Sequence, residues 1–162
     1  MKASLLLEKL EKEFEENSYD STGDTVKHQE IVKKSIGKFI DFLKERAEHH
    51  DESKLEEPEK SGYDKTIPLL KKTKYGTEEY NKIRSEAKCF EQHFANNRHH
   101  PEHFKNGING MNLVDIVEMV LDWYSASQRS DTPFSKGIEK NIEQFGIEPQ
   151  LADILRNTAK IL

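Results

Sequence analysis

Apolar positions recur every three or four residues through most of this 162-residue chain, and no run of alternating strand-like positions occurs. Leu6, Leu7, Leu10 and Phe14 share one face of a predicted helix over residues 2–17. The stretch "SYDSTGD", 18–24, reads as a loop, and a second helix starts near Thr25. That helix carries Ile31, Val32, Ile36, Phe39, Ile40, Leu43 and Ala47 toward "HHD" at 49–51. Residues 52–75 are polar and punctuated by Pro58, Gly62 and Pro68, which predicts turns with at most short helices. Thr77 is placed to cap a helix through "EEYNKIRSEAKCFEQHFANNRHH", and "PEHFKNGINGM" follows as a loop. Asn112 is placed to cap "LVDIVEMVLDWYSASQR". Thr132 and Pro133 open a helix to about Phe145, and Pro149 sits early in the last one. The expected fold is all-α.

Composition narrows the picture. Hydrophobic and charged residues each make up 34% of the chain, which suits helices that bury a narrow stripe and expose the rest. The length fits one domain over 1–162. No apolar run is long enough to span a membrane. "LLL" near the amino terminus is followed at once by acids, so it reads as part of an amphipathic helix and not as a signal peptide. Apolar residues on that helix offer a surface for a homodimer. The single cysteine, Cys89, excludes an intramolecular disulfide and suits a cytoplasmic setting. Within a helical pattern it reads as a small core residue. A net charge of −5 disfavours a nucleic-acid polymer as partner. Trp123, Tyr124, Phe90 and Phe94 fall at helical spacing and read mainly as core.

Candidate chemistry starts with "HHDESK", 49–54, which is either a solvated turn or a pair of metal ligands with a phosphate-binding lysine behind them. The other candidate ligands are His28, His93, His99, His100, His103, Asp115, Glu118 and Asp122. Imidazole and carboxylate together suit zinc, iron, manganese or cobalt better than calcium. His93 and His100 are two helical turns apart, and the proline in "NRHHPEH" predicts a helix end beside them. Asp115, Glu118 and Asp122 stand at i, i+3 and i+7 and so share a face. Asp115 is the third residue after Asn112, where an acid stabilises the helix start. Asp122 is mid-helix with no such task, and is the better ligand. His28 and His50 are separated by 22 residues, about 33 Å along a continuous helix. For both to reach one ion the helix must bend, and Gly37 is the natural place within residues 36–41.

The order of a lone His28, then His50-Asp51, then Asp122 resembles the ligand order of the HD superfamily of metal-dependent phosphohydrolases. "HDESK" resembles the "HD-x-x-K" element of its HD-GYP branch, "HHPE" its paired histidines followed by an acid, and "LDWYSASQR" its aspartate-to-arginine segment. More closely, residues 28–160 resemble a small HD-type family of bacteria and phages with "HDxSK", "YGxxEY", "NRHHPEHF" and "MNLxDxxEMxxDW". The chain lacks the "GYP" loop, which argues against cleavage of cyclic dinucleotides. Residues 1–24 stand outside as an added helix and loop, and 25–162 form the core of the domain.

This resemblance implies a compact helical bundle with a buried metal site. His28, His50, Asp51 and Asp122 would hold one ion, and His93, His99 and His100 a second shared through Asp51. One or two divalent ions are implied: manganese, iron, cobalt, zinc, with magnesium admissible. Lys54 would bind a phosphate oxygen, with Arg98 and Arg129 as further substrate contacts. Asp51, Lys54 and Glu118 are the candidate catalytic residues. The implied activity is hydrolysis of a small phosphorylated molecule, a nucleotide first among them, by metal-activated water. Two alternatives use the same ligands: a di-iron oxygenase, and a noncatalytic module in which a metal braces helices for partner binding.

Overall fold

The computed structural model describes residues 2–16, 19–74, 76–129 and 133–162, with side chains described for all of these except 2 and 13–16. Among the described residues there are eight α-helices, three short 3-10 turns and no strand. The all-α expectation holds. No described helix is long and apolar enough to cross a membrane.

Contacts divide the chain into two compact units, Met1–Asp41 and Phe42–Leu162. The first contains α1, Lys2–Glu16, and most of α2, Thr22–Glu48. Helix α2 starts within the stretch expected as a loop and runs unbroken past Gly37, so the expected bend at 36–41 is absent. A lone glycine lowers helix propensity by about 1 kcal/mol without forcing a kink, and the residues around it are good helix formers. The Phe14 side chain, expected on the apolar face of α1, lies outside the described residues.

The second unit packs around two centres. Its hydrophobic core joins α6, Leu113–Ser127, to α7, Phe134–Phe145, and α8, Pro149–Thr158. Met119 and Val120 of α6 meet Ile138 of α7 and Ala152 and Leu155 of α8, all buried. Trp123 stacks flat on Phe145 with ring centroids 5.9 Å apart, as expected of a core aromatic. Asn112 caps α6 with a full capping box: its side chain accepts from the amides of Val114 and Asp115, and Asp115 accepts in return from Asn112 N. Gly146, at φ 58°, closes α7 in the left-handed region that suits glycine, and Pro149 opens α8. Thr132, expected as the cap of α7, lies outside the described residues.

The other centre is built by α3, Glu59–Leu70, and α5, Lys88–Asn96. At twelve residues, α3 is longer than the short helices expected among the turns of 52–75. Pro68 falls in its last turn, where it leaves the carbonyl of Asp64 without its helical donor but the helix has only two residues left to run. Gly62 is there for contact: a Cβ at this position would lie 2.5 Å from Cys89 Cβ. That approach seats Cys89 as a buried core residue and brings Glu59, one turn earlier on α3, against His93, one turn later on α5. Gly62→Ala is therefore expected to lower unfolding stability by about 1–3 kcal/mol through overpacking. A urea midpoint equal to the wild type's would mean that α3 and α5 can separate freely.

The long helix expected from Thr77 is also corrected. Thr77 caps α4, Glu78–Glu86, as anticipated, but Ala87 is extended and α5 starts a new axis that ends at Asn96. No glycine or proline marks this break in the sequence. The loop before α6 contains two 3-10 turns, Pro101–His103 and Gly107–Gly110.

Candidate metal centre

The clustered side chains described below all belong to the second unit. Helix α2 ends at Glu48, and Asp51 then adopts φ 60° and ψ 13°. It is the only described non-glycine residue with positive φ. Aspartate and asparagine tolerate this region better than most residues because their short polar side chains can bond locally. The turn puts His50 Nε2 3.7 Å from Asp51 Oδ2 and 3.7 Å from Asp122 Oδ1 on α6. His93 comes from α5, and His99 and His100 from the turn that follows it.

These side chains form two groups whose ligand atoms lie within 4.8 Å of one another: Asp51, His93, His99 and His100, and His50, His99 and Asp122. His93 Nε2 and His100 Nε2 are 2.9 Å apart, and His93 Nε2 is 3.1 Å from Asp51 Oδ1. Yet Asp51 Oδ1 and His99 Nε2 are buried without a hydrogen-bond partner. Buried polar atoms are rarely left so, and their loss of water is unfavourable unless another partner arrives. Converging imidazole nitrogens and carboxylate oxygens, two of them orphaned, fit a divalent transition metal.

The tautomers needed for this are set from outside. Glu118 Oε1 accepts from His50 Nδ1 at 2.9 Å and lies 3.2 Å from His99 Nδ1. Glu59, only 1% exposed, accepts from His93 Nδ1 at 3.0 Å. With their protons on Nδ1, all three rings turn an Nε2 lone pair inward. The two carboxylates are themselves held. Arg46 Nε donates to Glu118 Oε2 at 2.7 Å. Ser53 and Asn96 donate to Glu59 at 2.9 and 2.7 Å.

Electrostatics follow from these contacts. The carboxylates of Asp122 and then Glu118 beside it hold the His50 imidazole up to about 10, so in the metal-free protein a proton occupies it that a cation must displace. Burial, and then the neighbouring His99 and His93, push His100 down to about 3 and keep it neutral. Burial alone would raise Asp51, but contacts with His93 and Lys54 outweigh it and hold the carboxyl below its usual range. Glu118 is lowered in the same way, burial being outweighed by hydrogen bonds from His50 and His99.

Of the expected metal ligands, His50, Asp51, His93, His99, His100 and Asp122 are brought together. His28 is a correction: α2 lacks the bend it required, and it belongs to neither group. Lys54 stands beside the cluster, with Nζ 2.5 Å from Asp51 Oδ2 and 5.4 Å from the Tyr63 ring centre. Glu118, expected among the catalytic residues, meets His50 and His99 through Oε1 and Arg46 through Oε2. Arg98, expected to touch substrate, is held in two hydrogen bonds by Asp115, at 3.1 and 2.9 Å. Arg129 lies exposed in the turn after α6. Asp115 is fully buried as a cap and also binds Arg46, which confirms it as a structural acid. His49 is exposed and pairs with Glu52, while His103 Nδ1 donates to Phe94 O. Arg46, Glu59 and Ser53 were not foreseen. Arg46 lies four residues before His50, one helical turn, and that spacing is its signal. Glu59 reads in sequence as an ordinary acid at a helix start.

A family model for DUF5662, a family of unknown function, matches residues 17–161. The match takes in the whole cluster and begins before residue 28, where the motif resemblance starts. No curated protein and no solved structure matches the chain significantly.

Proposed function

The chain belongs to DUF5662, whose description assigns no activity, and from its own residues we propose that it is a metal-dependent phosphohydrolase acting on a small phosphorylated molecule, with a nucleotide as the first substrate to test. One observation carries the reading: six histidine and aspartate ligands converge, with Asp51 Oδ1 and His99 Nε2 buried and unpartnered among them. The reaction class comes from the HD-like order of His50-Asp51 and Asp122, although His28 is missing from the set. His50, His99 and Asp122 then make a three-ligand group, the number that leaves a position for water or substrate at a catalytic ion. A divalent ion held there supplies a water of lowered pKa and neutralises phosphoryl charge.

The chain's own groups do the rest. Glu118 and Glu59 keep protons on the outer ring nitrogens and lone pairs on the inner ones. The cluster also reaches solvent, since the side chains of His50, Asp51 and Lys54 are 29%, 26% and 36% exposed. A site meant only to brace helices has no need of that opening. Lys54 Nζ lies at its edge, paired with Asp51 and 5.4 Å from the Tyr63 ring centre, and can swing to a phosphate oxygen.

The test is phosphate release from a panel of nucleotides by protein loaded with manganese, iron, cobalt or zinc. Metal-dependent release that chelation abolishes is the expected result. An iron-loaded protein with a redox-active spectrum and no release from any substrate would move the reading to the di-iron oxygenase. Lys54→Ala is expected to keep its metal and raise KM roughly 10–100-fold, the worth of one charge-assisted hydrogen bond of about 1.5–3 kcal/mol. If KM is unchanged, Lys54 serves Asp51 and not the substrate.

A further inference from the structure

The first unit carries two apolar stripes that nothing in the unit covers. Leu6, Leu7 and Leu10 of α1 and Val32, Ile36 and Ile40 of α2 are 39–60% exposed, and α2 has no buried residue at all among those described. Their spacings, three and four residues, are those of helices that pack side by side at a shallow angle. These six residues, each more than a third exposed, leave mainly apolar surface uncovered, and flanking stems such as that of Lys33 extend it toward the ~800 Å² that each partner of a standard interface buries. Scattered apolar residues are normal on a surface, but a continuous stripe on each of two helices marks surface available to a partner.

We propose that this face pairs with the same face of a second copy of the chain, α1 of each copy lying on α2 of the other. Charge chooses this occupant. The second half of α1, "EKLEKEFEE", carries five acids against two lysines, whereas "KKSIGK" in α2, around Ile36, carries three lysines and no acid. A twofold arrangement sets the acidic helix of each copy on the basic stretch of the other, twice over, and covers both stripes at once. A lipid surface would attract the lysines of α2 but would repel α1.

The experiment is the molar mass of the full chain in solution, by light scattering from about 1 to 100 µM, for wild type, Leu6→Glu/Leu10→Glu and Ile36→Glu/Ile40→Glu. Wild type is expected at twice the 18.8 kDa chain mass, and both variants at the single mass with metal content and helical signal unchanged. Unchanged metal content shows that the second unit is intact, so a monomeric variant is not merely unfolded. A wild type that stays monomeric throughout overturns the proposal, and its flotation with anionic vesicles would name lipid as the occupant. A dimer that survives both variants overturns it equally.

Discussion

Asp51→Asn is expected to purify as a folded protein whose affinity for a transition metal has fallen on the order of a hundredfold or more. Asparagine tolerates the left-handed backbone of residue 51 about as well as aspartate does, so the turn after α2 can survive. Alanine is a poorer probe. It would strain the same backbone and confuse loss of a ligand with loss of the turn. What asparagine removes is the charge of an oxygen already buried without a partner, and the acceptor that holds Lys54 Nζ. Three imidazoles remain near that point, His93, His99 and His100, but no anion balances the ion among them. Elemental analysis of untagged protein reads the stoichiometry, and thermal melting reads the linkage. Metal at a thousand times its Kd should stabilise the wild type by about 4 kcal/mol, and a variant of hundredfold weaker affinity by only about 1.4 kcal/mol at the same concentration. If Asp51→Asn retains its metal and its melting shift, the cluster does not centre on Asp51. If the wild type takes up no metal at all, the phosphohydrolase reading is lost with it.

How much of this was legible beforehand depends on where the deciding interaction lies. Asn112 and Asp115 were readable because a capping box is local, three residues long and carried by residue type. Asp122 was separable from Asp115 for the same reason: the cap claimed one acid and left the other. The helix α3 was not readable. Gly62 and Pro68 are breakers by propensity, and only the long-range approach of Gly62 to Cys89 reverses that reading for the glycine. The break at Ala87 is likewise invisible, since no local signal accompanies it. At the site, the ligands announce themselves by type and clustering, whereas the groups that orient them do not. Glu59 lies 34 positions from His93, and Arg46 lies 72 from Glu118. Arg98 shows the converse. A cation near a histidine pair suggests substrate, but the buried acid opposite it, Asp115, already uses its guanidinium.

Glu118→Gln is expected to weaken metal binding about 10–100-fold although residue 118 is not itself a ligand. The reason is a count of donors. Glu118 offers Oε1 to the Nδ1 protons of His50 and His99, and Oε2 to Arg46 Nε. Glutamine has one oxygen and one amide nitrogen, so it can serve one side only. If the nitrogen faces the rings, donor meets donor, the imidazole protons shift to Nε2 and fill the positions an ion needs. If it faces Arg46, a half-buried guanidinium keeps only Asp115, and the variant also loses about 1–3 kcal/mol of stability. Either orientation damages the site, and the two damages are separable. Chelator competition measures the affinity, and urea unfolding of the metal-free protein measures the stability. Glu59→Gln provides the scale, because Glu59 orients one ring, His93, where Glu118 orients two. Glu118→Gln should therefore cost more affinity than Glu59→Gln. A loss confined to stability, with metal affinity at the wild-type value, would make Glu118 a brace between α2 and α6 and nothing more.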